Sequence, residues 1–346
     1  MIKIKSSHHA DDGFVRIAWD VTEFCEKRCH YCTSYKFLKS LKAKDTVFDI
    51  PPERLAIDDT VAKLIPQLMT KGDVCFYGGE PSLHPKGIQY FNQMCIDSHE
   101  ETNLLFVSHG DIDEAKIRSI NPGNKKNYMV CVSYHFYQVK IDEWLEKVKL
   151  FKECIPNFYV TGLIPPQEKV WTQYRENVQK IMDTGVRFEL KPQLDPITGE
   201  PNTGVIQEFQ DLLDIIDAKF GINDPLRENI KYGINLDDGN TKIKVPNAKF
   251  TPQIPLIAGK SICKTRQFNL IAGNFERACG VGEAIQIDAN TTVEEVKHFI
   301  DNTAIMCPRQ ACTDSSNITT NIAVMGTDLT EAKFAEYAAC EFTEVL

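Results

Sequence analysis

From residue 15 to residue 221 the chain alternates short apolar runs with stretches of helical period. The runs are VRIAWDV (15–21), DVCFYGG (73–79), NLLFVSHG (103–110), YMVCVSYHF (128–136), NFYVTGLI (157–164) and VRFELKP (186–192). Each is almost continuous in apolar residues, which predicts strands covered on both faces. Between them, apolar positions recur every three or four residues. Val61, Leu64, Ile65 and Leu68 form one stripe, and Ile141, Trp144, Leu145 and Val148 a second. Trp171, Tyr174, Val178, Ile181 and Met182 form a third, and Phe209, Leu212, Leu213 and Ile216 a fourth that stops at Gly221, a helix C-terminal glycine. Strands alternating with helices predict parallel β/α units joined by right-handed crossovers. Two closures fit: a flat doubly wound sheet or a barrel of six units. Both put functional loops at the C-terminal ends of the strands.

After Gly221 the pattern changes. ENIKYGINLDDGNTKIKV predicts a hairpin around Asp-Gly-Asn, and RQFNLIAGNFERACG another turning at Gly273-Asn274. In TTVEEVKHFI, Thr292 and Glu295 make a capping box for a short helix. The organisation expected is a core of residues 1–221 and a smaller α+β domain of residues 222–346. QLDPITGEPNTG (193–204) is turn-rich and expected to be exposed. No repeat or low-complexity tract interrupts the chain.

Composition narrows this picture. The 346 residues are 42% hydrophobic and 25% charged, ordinary for a globular chain able to bury a core without disulfides. The net charge of −9 disfavours nucleic acid as a partner. MIKIKSSHHADDGF holds no signal-peptide run, and no window is apolar enough to span a membrane, so a cytoplasmic location is expected. Thiols stay reduced there, and twelve cysteines need a reason. Cys75, Cys95, Cys131 and Cys154 lie in apolar segments and are expected as small core residues. So is Cys340, in the amphipathic FAEYAACEF. The rest cluster: Cys25, Cys29 and Cys32, then Cys263, Cys279, Cys307 and Cys312. Clusters of this kind point to metal.

The first cluster, CEKRCHYC (25–32), follows the first strand directly. Structural zinc wants four protein ligands, and no second pair follows at the usual distance. His30, between two of the cysteines in one tight turn, is awkwardly placed as a fourth. Three thiolates on a [4Fe–4S] cube leave one iron free to bind a small molecule. Cysteines spaced CX3CX2C after the first strand, with Tyr31 before the last, resemble the radical S-adenosylmethionine enzymes. So does YGGEP at the end of the second strand, with Gly78, Gly79, Glu80 and Pro81. The resemblance covers about residues 15–221 and favours the partial (β/α)6 TIM-like barrel over the flat sheet.

That resemblance implies a mechanism. Cys25, Cys29 and Cys32 hold the cluster, and the amino and carboxylate groups of S-adenosylmethionine chelate its open iron. One electron splits a C–S bond, giving methionine and a 5′-deoxyadenosyl radical that takes a hydrogen atom from the substrate. Gly78 and Gly79 let backbone approach the ligand, and Glu80 accepts from an ammonium. Tyr31 packs near the adenine. Ser133 and His135, ending the fourth strand, meet ribose or carboxylate. Glu189 and Lys191, ending the sixth, pair with each other or contact cofactor or substrate. The family's fifth-strand G-x-I-x-G-x-x-E is absent; YVTGLIPPQ stands in its place.

The pattern C-x9-G-x5-C from Cys263 through Gly273 to Cys279, followed by MCPRQAC, is similar to the twitch and SPASM extensions of this family. It departs by one residue from the usual G-x4-C. The expectation is one auxiliary [4Fe–4S] cluster on Cys263, Cys279, Cys307 and Cys312, against a tetrahedral zinc site as the alternative. The activity implied is that of a radical oxidoreductase or maturase acting on a peptide or a small molecule, reduced by a flavodoxin or ferredoxin. Only 24 residues precede Cys25, so recognition of a peptide is expected from a separate partner or the C-terminal domain. A non-catalytic zinc or electron-carrier protein, or a nucleic-acid-modifying radical enzyme, are the competing classes.

Overall fold

The computed structural model describes residues 2–6, 15–27, 29, 32, 50–192, 208–220, 233–235, 242–244, 254–255, 261–263, 267–277, 283–302, 305–307, 311–312 and 322–324. The expectations for His30, Tyr31, the 193–204 loop, Gly221, the Asp-Gly-Asn turn, Cys279 and Cys340 fall outside those residues.

The elements run β1 (Ile2–Ser6), β2 (Val15–Thr22), α1 (Pro52–Leu68), β3 (Gly72–Gly78), α2 (Gly87–Asp97), β4 (Thr102–Ser108), α3 (Glu114–Ser119), β5 (Tyr128–Tyr134) and α4 (Ile141–Cys154). There follow β6 (Phe158–Ile164), α5 (Trp171–Asp183), β7 (Arg187–Pro192), α6 (Gln210–Phe220), β8 (Gly233–Asn235), β9 (Lys242–Lys244), β10 (Ile254–Pro255) and β11 (Ser261–Cys263). The last are β12 (Gln267–Ile271), β13 (Asn274–Arg277), β14 (Ala284–Gln286), α7 (Val293–Asp301), β15 (Ile305–Cys307), β16 (Ala311–Cys312) and β17 (Ile322–Val324).

All six strands expected between residues 15 and 192 form, as β2 to β7, and they pair in parallel in chain order. That order decides between the two closures. A doubly wound sheet reverses its strand order at a switch point. Here every right-handed crossover steps the same way, so the helices fall on one face and the sheet curls into a partial (β/α)6 barrel.

Burial follows from this curl. Ile17, Trp19 and Val21 of β2, Val74 and Phe76 of β3, and Leu104 and Phe106 of β4 are buried beneath the helices. The expectation of strands covered on both faces holds for the end of β2 and for most of β5 and β6, whereas on the first half of β2 and on β3 and β4 residues alternate between buried and part-exposed. The second face lines the barrel interior, where polar residues are allowed. Arg16, Asp73 and Asn103 stand in register across β2, β3 and β4. Arg16 donates to Asp73 from Nε (3.0 Å) and Nη2 (2.7 Å), and Asn103 Nδ2 donates to the other Asp73 oxygen at 2.8 Å.

Under the helices the core is aromatic. Trp19 packs on Phe76 (ring centroids 5.3 Å apart), Phe76 meets Phe91 of α2 edge-on (5.4 Å), and Tyr134 packs on Trp144 of α4 (5.1 Å). Each such side chain contributes roughly 1.5–3 kcal/mol by burial. Helices α2 and α3 and strand β1 were not anticipated; β1 carries a visible period of two in Ile2-Lys3-Ile4-Lys5.

The sheet continues past β2 on the other side. Strand β12 runs parallel to β2, from Gln267 opposite Arg16 to Ile271 opposite Asp20. Strand β13 returns antiparallel to β12, and β14 antiparallel to β13. The expected hairpin therefore forms, but its turn is Ala272-Gly273 rather than Gly273-Asn274, because Asn274 already pairs with Ile271. Both turn residues have positive φ, 52° and 79°, as a two-residue type I′ turn requires. The Thr292–Glu295 capping box on α7 is present. Phe299 of α7 packs over Phe268 and Phe275 of the hairpin. A second sheet, ordered β15-β11-β17-β1-β8-β9, joins β1 to strands from the far end of the chain. Its β8–β9 pair is the other hairpin expected from the sequence.

Candidate functional site

Strand β2 leads into the cysteine turn through a bulge between Asp20 and Thr22. Two backbone bonds tie the exit of β2 to the loop after β3: Gly79 N–H donates to Thr22 O (2.6 Å) and Glu80 N–H to Phe24 O (2.7 Å). This approach explains the paired glycines. Gly78 sits at φ +121°, and a Cβ there would lie 1.9 Å from Asp20 Oδ1 and 2.6 Å from Thr22 O. A Cβ on Gly79 would lie 2.0 Å from Phe24 O. The close neighbour for which both make room is the chain itself.

Glu80 locks the same junction. It is fully buried, and its carboxylate accepts from Ser82 N–H (3.1 Å), Ser108 Oγ (3.1 Å) and His109 N–H (2.8 Å). Charge-assisted bonds to a buried carboxylate are among the stronger ones. Pro81 is buried beside it, opening a short turn over residues 81–83.

The turn itself is compact. Cys32 N–H donates to Cys29 O at 3.0 Å. Cys29 is buried, and Cys25 and Cys32 are half-buried. Burial first, then the charges of Glu26, Glu80 and Cys29, push the Cys25 thiol up to about 12. In such surroundings thiolates need a compensating cation, which is what an iron–sulfur centre provides. His135, after β5, places Nδ1 3.5 Å from Cys29 Sγ. Burial, with His109 and Lys27 nearby, holds His135 down to about 4, so its ring is neutral at pH 7.

Sequence reading missed a set of residues between the cysteine turn and the end of β4. Asp111 N–H donates to His109 Nδ1 (2.9 Å), so the neutral ring carries its proton on Nε2. That nitrogen faces Glu26 Oε1 at 2.8 Å and Glu80 Oε2 at 3.4 Å. Burial pushes Glu26 up, but its contact with His109, with Lys27 beyond, outweighs it and holds Glu26 below its usual range. Donor atoms of Cys25, Glu26 and His109 lie within 4.8 Å of one another. The available signal was the histidine directly after β4 in VSHG.

Further round the interior, Ser133, Thr161 and Glu189 stand in register on β5, β6 and β7. Lys191 Nζ lies 3.4 Å from Glu189 Oε2. At the β2 end the buried Asp20 has one oxygen, Oδ1, with no partner among the described residues. Burial, then Glu23, raises its carboxyl to about 7. Of the core cysteines, Cys95 and Cys131 are buried, and Cys75 and Cys154 part-buried.

For the second cluster, β11 pairs with β15 so that Ser261 faces Cys307 and Cys263 faces Ile305. Positions 263 and 307 thus share one face of that ladder, two residues out of step. Cys312 lies on β16, paired with β10.

No protein-family model matches the chain, and no curated protein matches it significantly. Solved structures do. Native anSMEcpe with bound AdoMet and Cp18Cys peptide is similar at TM-score 0.50 and 15% identity, over 84% of this chain and 81% of that one. Native anSMEcpe with bound AdoMet matches at 0.48 and 12% identity, over 94% and 96%. BtrN in complex with AdoMet and 2-DOIA matches at 0.30 and 13%, over 62% and 93%. The likeness at 0.50 shows a shared fold, the partial barrel with appended strands that the sequence motifs implied.

Two outcomes follow from this geometry. Gly79→Ala forces its Cβ into Phe24 O and lowers unfolding free energy by roughly 1–3 kcal/mol in urea denaturation, as overpacking does; an unchanged midpoint would show that the junction can relax. Asp20 binds its proton more tightly folded than unfolded, so it makes stability fall as pH rises from about 4 towards about 7. Asp20→Asn should flatten that decline in melting temperature across the same window.

Proposed function

We infer that this chain is a radical S-adenosylmethionine enzyme. The observation that carries the reading is the junction of the two loops: the exit of β2, which runs straight into CEKRCHYC, is joined at Thr22 and Phe24 by backbone bonds to GGEP of the neighbouring strand, at the C-terminal end of the barrel. A zinc or electron-carrier protein has no use for that second loop. Cys25, Cys29 and Cys32 would hold a [4Fe–4S] cluster with one iron open to the cofactor. When bound, that pair supplies the 5′-deoxyadenosyl radical that removes a hydrogen atom from the substrate.

The chain's own work is binding, orientation and exclusion of water. The Gly78–Gly79 turn fixes where the cysteine loop begins, and Glu80 fixes that turn against β4. Neutral His135 flanks Cys29 without adding charge. Ser133, Glu189 and Lys191 offer polar groups on the interior strands, and Tyr31 belongs to the cysteine motif. Arg16, Asp73 and Asn103 close a polar floor beneath them, which suits a polar substrate, a peptide or a small molecule. A low-potential flavodoxin or ferredoxin would supply the electron. No helix among the described residues is long and apolar enough to cross a membrane.

We further infer an auxiliary [4Fe–4S] cluster on Cys263, Cys279, Cys307 and Cys312 in a domain spanning residues 222–346, suited to accepting an electron from a substrate radical. The shared face of positions 263 and 307 supports it.

Anaerobic reconstitution should load roughly eight irons per chain, one cube for each cluster. Cys29→Ala should abolish release of 5′-deoxyadenosine and keep about half the iron. About four irons in the unaltered protein would remove the auxiliary cluster. A colourless, zinc-loaded protein that never cleaves S-adenosylmethionine would sink the whole reading.

A further inference from the structure

The backbone bonds to Gly79 and Glu80 hold Thr22 and Phe24, ahead of Cys25. They do not reach residues 26 and 27, which lie between the first two cysteines. That segment is gripped from another side, by the loop that follows β4. Glu26 Oε1 meets His109 Nε2 at 2.8 Å, and Lys27 Nζ meets Asp111 Oδ2 at 2.5 Å. The two pairs have opposite polarity, acid to base and then base to acid, so the segment can seat in one register only. Exchanging partners would face Glu26 with Asp111 and Lys27 with His109.

The grip is anchored in the fold. His109 is 5% exposed, and its ring is fixed by Asp111 N–H on Nδ1. Asp111 is held in turn by Lys147 of α4 on its other oxygen. The Lys27 side chain is 13% exposed, so its pair is better shielded than an open surface pair. His109 also lies against Glu80, so one imidazole touches both loops of the candidate site.

We propose that His109 and Asp111 form a clasp on Glu26 and Lys27 that sets the separation of Cys25 and Cys29, making them positioning residues for the cluster. This rests on reading the cysteine turn as an iron–sulfur site. It assigns Glu26 and His109 to each other. The competing use of the same atoms is as a chelating trio with Cys25 for a single divalent ion. In that use Lys27 and Asp111 have no part.

The test uses the full-length chain, reconstituted anaerobically with iron and sulfide. The variants are Glu26→Gln, Lys27→Ala, Asp111→Ala, the Lys27→Ala/Asp111→Ala double and Lys147→Ala. Two quantities are read: the rate at which bathophenanthroline strips iron from the cluster, and the change that S-adenosylmethionine makes to the electron paramagnetic resonance spectrum of the reduced cluster. Lys27→Ala and Asp111→Ala should each speed iron loss roughly two- to fivefold, the range for losing one partly shielded ion pair, and Glu26→Gln, which keeps an acceptor but loses the charge that strengthens its bond to His109, should speed it by less. Each should also broaden the cofactor-induced spectrum. The double variant should do no more than the larger single, since both changes remove one contact. Lys147→Ala, which loosens Asp111 from behind, should speed iron loss by less than Asp111→Ala does. Glu26→Gln and Lys27→Ala lie on the turn itself, and melting temperatures equal to that of the unaltered protein show that the barrel is intact; if Asp111→Ala fails to fold, these two carry the test.

Iron loss and spectra equal to those of the unaltered protein would overturn the clasp while leaving the cluster standing. Loss of metal in Glu26→Gln with Lys27→Ala silent would replace the clasp by the chelating trio. An unaltered chain that takes up no iron–sulfur cluster would overturn the reading of the cysteine turn and the clasp with it.

Discussion

Everything at the mouth of this barrel depends on how closely two loops approach. The exit of β2 lies against the turn after β3 near enough for Gly79 N–H and Glu80 N–H to bond Thr22 O and Phe24 O. Side chains at positions 78 and 79 would overlap the neighbouring chain. Glycine there is a steric requirement of the protein's own backbone, before any ligand is considered. With the approach in place, a cysteine turn starting three residues after β2 is delivered to a fixed point. Without it, the turn would be an ordinary connection free to sample many shapes.

Glu80 makes the approach permanent. A carboxylate with no exposure to water is costly unless its lone pairs are taken. Ser82, Ser108 and His109 take them. The charge thereby ties β3 to β4, and His109 carries the connection on to Glu26 beside Cys25. Aromatic packing beneath the helices sets the strand positions on which these distances rest. The polar interior runs from the Arg16–Asp73–Asn103 floor to Asp20 and Glu189, on the face that no helix covers among the described residues.

Much of this was readable in the residues. Six apolar runs with helical stripes between them gave six strands in the expected places, and Thr292 and Glu295 gave the capped helix. Both depend on local periodicity or local hydrogen bonding, which a sequence displays directly. The cysteine turn and GGEP were equally plain, because their spacing is itself the signal. Less visible were the short helices α2 and α3, the strand β1, whose partners lie hundreds of residues away, and the one-residue placement of the Ala272-Gly273 turn, which the pairing of Ile271 with Asn274 decides.

The sequence alone determined which chemistry is available: three thiols in one turn, a glycine pair, and alternating elements that bring loops to one end. Its periodicity could not choose between a flat sheet and a barrel, since both obey the same pattern; only the resemblance carried by the two motifs favoured the barrel. Strand order made that choice, by sending every crossover the same way. Nor could it show that Glu26 and Lys27 meet His109 and Asp111, more than eighty positions along the chain. Charges so far apart in sequence become partners only when β2 and β4, on either side of β3, end at the same edge, and that is a property of the folded sheet.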